Sequence, residues 1–105
     1  MEIPEPDHQF KVPVVRKPEY TLYFEQATRA HTFIHCDIHE RWSPAVKAQL
    51  AQDFAALTAL HGGPFYALHD PADRKHHKFL RMFGFKWAAS FHDRQQSRME
   101  IFATH

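Results

Sequence analysis

The segment at residues 32–50, TFIHCDIHERWSPAVKAQL, contains the pattern on which the fold prediction depends. Its first half alternates between polar and apolar residues, as expected for a β-strand with two different faces. The polar face carries His35, Asp37 and His39. Ser43 is a favoured N-cap residue and Pro44 suits the first turn of a helix, so the strand is predicted to lead directly into a helix. Such a helix N-terminus is a setting for anion binding, because free amide groups and the helix dipole point at the turn.

The helix after this turn has the most regular pattern in the chain. Its apolar residues recur at helical spacing, at Val46, Leu50, Phe54 and Leu57. Two glycines at 62 and 63 end the helix, and residues 64–69, PFYALH, read as a short buried strand. A strand–helix–strand unit makes a right-handed crossover, so strand 64–69 is predicted to lie parallel to strand 32–39.

The remaining segments complete a small mixed sheet. Residues 20–26 form a predicted strand that is joined to strand 32–39 by a hairpin turn at 27–31. The other predicted elements are a helix at 73–83 and a closing hairpin with strands at 85–91 and 98–103. Residues 1–19 contain four prolines and are predicted to be an extended N-terminal arm or an edge strand around residues 10–15. The predicted fold class is α/β (α+β), with two helices and the order β-β-α-β-α-β-β.

Composition places the chain among ordinary globular proteins. Its 105 residues are 44% hydrophobic and 24% charged, which predicts a single domain at 1–105. The formal net charge of +1 gives no sign of a nucleic-acid-binding protein. No apolar run is long enough to cross a membrane, and the acidic N-terminus differs from a signal peptide. The single cysteine, Cys36, fits a reducing compartment, so a cytoplasmic location is predicted.

The second helix carries a motif that resembles a known enzyme family. In the GNAT superfamily of N-acetyltransferases the corresponding helix commonly reads N-x-x-A-x-x-F-Y-x-x-x-G-F, and this chain has DRKHHKFLRMFGF at residues 73–85. The residues that match in register are Phe79, Gly84 and Phe85. At the positions of the family's Asn, Ala and Tyr this chain has Asp73, His76 and Leu80.

A second, weaker match lies at the strand-to-helix turn. The family pattern there is R/Q-x-x-G-x-G/A, and Arg41 occupies its first position, whereas Pro44 and Val46 occupy the glycine positions. Together with the element order, these motifs cover roughly two-thirds of the chain. The chain is especially similar to the small acetyltransferase-like proteins of tailed phages, whose sequences resemble HGGPFYALHD followed by a helix ending in Gly-Phe.

The resemblance implies acetyl-CoA as co-substrate and transfer of its acyl group to an amine. It implies a coenzyme site made of Arg41, Ser43, Ala45, Val46, Asp73 and His76, and a general base at Asp37 or His39. An alternative prediction is that the chain keeps the fold as a catalytically inactive structural or protein-binding module. This alternative follows from the lost glycines and from Leu80, which cannot donate a proton as the family's tyrosine does. Such a module would act as a homodimer or with a phage protein, and a virion location is an alternative to the cytoplasm.

A third reading of the sequence concerns the H-x-D-x-H pattern on strand 32–39. Imidazole and carboxylate groups are common metal ligands. However, His35 and His39 would stand roughly 13 Å apart along a regular strand, too far to share one ion. A hydrogen-bonded polar sheet face is therefore the favoured prediction, and no metal is expected.

Overall fold

The computed structural model describes residues 11–104, and the order of its elements is β-β-β-α-β-α-β-β. The elements are β1 (Val12–Arg16), β2 (Tyr20–Thr28), β3 (His31–Ile38), α1 (Pro44–His61), β4 (Phe65–His69), α2 (Arg74–Met82), β5 (Lys86–His92) and β6 (Arg98–Ala103). The strands form one mixed sheet in the order β1-β2-β3-β4-β6-β5. The predicted mixed sheet with two helices is confirmed, and most predicted boundaries lie within two residues of the observed ones.

The sheet has one strand more than the predicted order. Part of the predicted arm forms β1, which pairs antiparallel with β2 and leaves its other edge at the end of the sheet. Prolines are compatible with an edge strand because only one edge needs backbone donors. The edge-strand alternative is therefore correct for residues 12–16, whereas residues 1–10 lie outside the described residues.

Both helices begin and end where the sequence predicts. The Ser43 hydroxyl caps α1 by accepting a hydrogen bond from the amide of Val46, and the Asp73 carboxylate caps α2 by accepting one from the amide of His76. Helix α1 ends at Gly62, which has φ of +75°. This left-handed backbone conformation suits glycine because it has no Cβ.

The core lies between the sheet and the two helices. One buried cluster contains Ile34, Phe65, Ala67, Leu80, Phe85 and Phe102. The other contains Tyr20, Leu22, Val46 and Leu50. Phe54 packs against the first cluster, Phe79 packs against the second, and Phe83 packs against both. The apolar positions of α1 and α2 therefore bury the same face of the sheet, as their spacing predicts.

Asp53 on α1 is an exception to the simple division between an apolar and a polar helix face. Its carboxylate accepts a hydrogen bond from the Tyr20 hydroxyl and lies 2.6 Å from Lys17 Nζ. Burial by itself would raise the pKa of Asp53, but the hydrogen bonds from Lys17 and Tyr20 outweigh it and lower that pKa. This contact joins the middle of α1 to the start of β2.

Strands β3 and β4 are parallel neighbours, as predicted, but they pair over a short distance. The ladder contains only Thr32 opposite Phe65 and Phe33 opposite Tyr66, whereas β3 continues to Ile38 and β4 to His69. Each strand pairs fully with its other neighbour, β2 or β6. The carboxyl ends of β3 and β4 therefore diverge within a sheet that is otherwise continuous.

Candidate functional site: a cleft between diverging strands

The divergence of β3 and β4 opens a cleft of about 460 Å³. This volume lies within the range of small-molecule binding sites, roughly 300–1,000 Å³. Its walls are mainly apolar, with Ile34, Cys36 and Ile38 from β3 and Ala67 and Leu68 from β4. The helices contribute Leu50, Phe54, Phe79, Leu80 and Phe83, and the remaining lining residues are Lys11, Leu22, His35, Asp37, Lys75, His76, Phe85 and Met99. An apolar cleft with a few polar groups suits a slender, mostly uncharged ligand.

The predicted phosphate-binding turn before α1 has two of its donors occupied. Pro44 has no amide hydrogen, the amide of Val46 donates to Ser43 Oγ at 3.2 Å, and the amide of Lys47 donates to the Ser43 carbonyl at 2.9 Å. The amide of Ala45 has no partner among the described residues. The side chain of Val46 is buried in the core rather than placed at the turn. The amide of Ser43 likewise has no partner in the described part of the chain, so two of the amides at residues 43–47 are free to meet an anion.

Replacing Ser43 by alanine tests the role of this cap. We expect Ser43→Ala to lower the free energy of unfolding by about 1 kcal/mol, because the Val46 amide loses its acceptor. Urea unfolding monitored by circular dichroism measures this change. Ser43→Asp, which keeps an oxygen acceptor, is the matched control and should retain most of the stability. Equal stability of the alanine variant and the parent would show that the cap contributes nothing.

Arg41 and Trp42 precede this turn and are both exposed. Neither belongs to the cleft lining. The Trp42 ring meets the Phe79 ring edge-on, with 5.9 Å between their centroids. Because Phe79 lines the cleft, Trp42 connects the turn before α1 to the cleft wall on α2. Trp42 is 39% exposed, so it only partly folds onto the core.

The polar face of β3 is bonded to β2. His35 Nε2 lies 2.9 Å from Glu25 Oε1, and His39 Nε2 lies 2.8 Å from Thr21 Oγ1. Asp37 is exposed near the end of the strand and reaches the cleft. The two candidate bases are thus separated, because Asp37 lines the cleft and His39, just beyond β3, is held by Thr21.

These contacts also bear on the metal alternative. Within residues 11–104 there is no group of three His, Cys, Asp or Glu side chains placed to hold a metal ion. His35 and His39 instead contact different residues of β2. These contacts support the favoured prediction, a hydrogen-bonded polar face on β3.

The first turn of α2 brings His76 and His77 to His69, the last residue of β4. His69 is buried, and its Nδ1 lies 2.9 Å from Nδ1 of His76, which lines the cleft. His77 lies beside them, with its ring 5.6 Å from that of His69. Burial lowers the pKa of both His69 and His76, and their mutual proximity lowers that of His76 further, against the opposing effect of Asp73. One ring nitrogen must be unprotonated to accept the hydrogen bond between His69 and His76.

This pair predicts a pH dependence of stability. Above the ordinary histidine pKa of 6.5 both rings are neutral in the folded and the unfolded chain. Below it the unfolded chain binds more protons than the folded one, so the free energy of unfolding falls as pH decreases towards the lowered folded pKa. We expect His76→Asn to reduce this fall in urea unfolding measured between about pH 7.5 and 5.5.

The exposed His92, at the end of β5, provides the control for this measurement. His92→Asn also removes one histidine but leaves the contact between His69 and His76 in place. It should retain the pH dependence of the parent chain. If His76→Asn and His92→Asn gave the same slope, the buried pair would not be its source.

Cys36 lies in the wall of the cleft, partly exposed rather than fully buried. Burial, helped by the nearby carboxylate of Asp37, raises the pKa of the Cys36 thiol to about 12. The thiol is therefore protonated at neutral pH and is a poor nucleophile.

The residue at the position of the family's tyrosine, Leu80, is buried and lines the cleft from α2. Asp73, assigned from sequence to the coenzyme site, instead acts as the α2 cap at 3.0 Å from the His76 amide. The cleft therefore contains two of the residues assigned from sequence, Asp37 and His76. Arg41, Ser43, Ala45, Val46, Asp73 and His39 lie outside its lining.

Sequence reasoning missed two buried polar residues near the site. Alternation along FYALH places His69 on the same face as the core residue Phe65, so its burial could have been predicted. The register of the hairpin between β2 and β3 likewise places the buried Glu25 near His35. Lys75 belongs to the basic stretch RKHHKFLR, which the sequence offers as a possible phosphate contact, but the sequence does not show which part of α2 meets the diverging strands.

Within the described part of the chain, neither helix is long and apolar enough to cross a membrane. Comparison with protein-family models, curated proteins and solved structures gave no match. The fold and site together define an α+β protein with a six-stranded mixed sheet and an apolar cleft between two diverging parallel strands. The relationship to the acetyltransferases and their phage members stays a prediction from the motifs and the element order.

Proposed function

We propose that this protein binds an acyl-CoA, with the pantetheine arm in the cleft, and transfers the acyl group to an amine. One observation carries the proposal. The parallel ladder stops after Phe33 and Tyr66 while both strands continue, and a largely apolar cleft occupies the gap.

The gap suits a narrow chain that contains amide groups. The outer edges of β3 and β4 are paired with β2 and β6, so their facing edges present backbone donors and acceptors to the cleft. An extended ligand can use these groups as an added strand would. Pantetheine has two amides separated by short apolar segments, and it would match both the backbone edges and the apolar walls.

The acyl transfer would require one reactive group from the protein, a base. The amine nitrogen attacks the thioester carbonyl, a base takes the amine proton, and the carbon–sulfur bond breaks to release the thiolate. Asp37 is the proposed base, because this exposed residue is among those that line the cleft at the end of β3. Water would protonate the thiolate, since Leu80 has no proton to give. His39 would not take the amine proton itself. Its Nε2 contacts Thr21 on the neighbouring strand, so any effect of His39 on the reaction would pass through Thr21.

A second candidate function, an inactive binding module, is favoured by two specific observations. The amides of Val46 and Lys47 at the turn before α1 are occupied, and an apolar residue stands at the position of the family's acid. Such a module could act as a homodimer or with a phage protein partner. The cytoplasmic or virion location likewise stays a prediction.

Calorimetric titration with acetyl-CoA and with acetyl-pantetheine tests the proposal. We expect saturable binding of at least one of these thioesters. Absence of heat for both at about 1 mM ligand would contradict it, because this concentration detects even weak complexes. Release of free thiol in the presence of an amine then separates an enzyme from an inactive module. Asp37→Asn should bind the thioester like the parent chain but release thiol more slowly by about 100-fold or more.

A further inference from the structure

We infer that the exposed face of α2 is a docking surface for an acidic carrier protein that delivers the acyl group on a phosphopantetheine arm. This inference rests on the proposed function and specifies the donor. The proposed surface, called the α2 basic face below, consists of Arg74, Lys75, Lys78 and Arg81.

The α2 basic face is positive along its whole length. All four cationic side chains are exposed, and α2 contains no acidic residue. Among the described residues, no carboxylate forms an ion pair with any of them. For a chain whose formal net charge is only +1, these charges are concentrated on a single short helix. Local concentration of one charge sign favours encounter with an oppositely charged surface.

The geometry of this face favours an extended acidic surface over a single phosphate group. Arg74, Lys78 and Arg81 follow one another at spacings of four and three residues, so they lie along one side of the helix. They cover about 10 Å of the helix axis at 1.5 Å per residue. A compact anion is bound by donors that converge on it, whereas this row is spread out and points into solvent. Carboxylates distributed along a partner helix would match the row.

The α2 basic face also borders the cleft. Lys75 belongs to the face and lines the cleft together with the adjacent His76. A carrier that docked here would place the start of its arm beside the cleft entrance. Its single phosphate would then lie near Lys75, and the arm would follow the proposed path between β3 and β4.

The turn before α1 gives independent support for a carrier over free coenzyme. Coenzyme A brings a diphosphate, which acetyltransferases hold on several backbone amides. At this turn Pro44 has no amide hydrogen, and the amides of Val46 and Lys47 already bond to Ser43. A carrier-bound arm has one phosphate and no diphosphate. The loss of donors at this turn would therefore cost little affinity for a donor that is anchored by protein contacts on α2.

Three probes test the inference: acetyl-pantetheine, acetyl-CoA and an acidic acyl carrier protein whose phosphopantetheine arm ends in a non-hydrolysable acetyl amide. We expect the loaded carrier to bind about tenfold or more tightly than acetyl-pantetheine, with an affinity that falls as salt rises. The double variant Arg74→Glu/Lys78→Glu should lose about tenfold or more of carrier affinity and keep its affinity for acetyl-pantetheine. Retained acetyl-pantetheine binding also shows that this variant is folded.

The matched control is Lys86→Glu/Arg94→Glu, which makes the same charge change at exposed positions on β5 and in the following turn. It should bind the loaded carrier like the parent chain. Equal losses in both double variants, or a carrier that binds no tighter than acetyl-pantetheine, would overturn the inference. A short RNA that binds the α2 basic face while the carrier does not would overturn it as well.

The three probes also separate this inference from the proposed function. Binding of acetyl-CoA or acetyl-pantetheine without preference for the carrier would leave the proposed function intact and reject the docking surface. Failure of all three probes to bind would reject both.

Discussion

Phe65→Ala is expected to lower the free energy of unfolding by about 3–5 kcal/mol. The Phe65 side chain is fully buried, and its ring contacts those of Phe24, Phe54 and His61. Removing it leaves a cavity where β2, β4 and α1 meet, and the main chain at this position is held on both sides. The Phe65 amide donates to Thr104 Oγ1 at 2.9 Å, and its carbonyl accepts from the Thr104 amide at 3.0 Å. Such anchoring limits how far the surroundings can relax into the cavity.

Thermal or urea unfolding measures this loss. At about 4–8 °C per kcal/mol for a domain of this size, the melting temperature should fall by at least about 12 °C. Leu60→Ala provides the control, because Leu60 is 85% exposed near the end of α1. Its effect should be within about 0.5 kcal/mol. A small effect of Phe65→Ala would contradict this prediction. It would mean that the core is not centred on Phe65, which lies where β3 and β4 are still paired.

The second large effect is expected at the cleft itself. Cys36→Phe places a ring where β3 lines the cleft, between the diverging strands. We expect it to weaken acetyl-pantetheine binding by about 100-fold or more, because the ring occupies volume that the arm requires. The added ring should cost about 1–3 kcal/mol of stability if it enters the core and less if it stays in the cleft. Calorimetric titration measures the first effect and urea unfolding the second.

Ala56→Phe adds the same ring at an exposed position of α1 and is the matched control. It should bind acetyl-pantetheine like the parent chain. Unchanged binding by a folded Cys36→Phe protein would place the ligand elsewhere. Loss of binding in both variants would point to a general effect of the added aromatic group.

The sequence predicts the elements of this fold because the relevant signals are local. Ser43 and Gly62 mark the ends of α1, and Asp73 caps α2, by contacts within one or two turns. The parallel arrangement of β3 and β4 follows from the handedness of the crossover between them. For the extra strand β1 the sequence predicts only an alternative, an arm or an edge strand, because pairing of a proline-containing segment depends on whether it reaches an available edge.

The candidate site was less accessible to sequence reasoning. The family motifs point to the turn before α1, and the contacts at that turn show a cap rather than an open set of donors. Asp73 has the same capping role at α2. Side-chain capping and ligand binding use the same amides, so a sequence motif cannot distinguish which of them the fold selects.

The sequence by itself determined where the strands and helices lie, which faces of α1 and α2 are apolar, and that β3 and β4 are parallel. Each of these depends on spacing along the chain and on the preferences of single residues. Only the tertiary structure decided that the β3–β4 ladder ends after Phe33 and Tyr66, that Cys36 and Asp37 reach the resulting cleft, and that His69 meets His76. These contacts join segments that are distant in sequence, and their geometry depends on how two helices and six strands pack around one core.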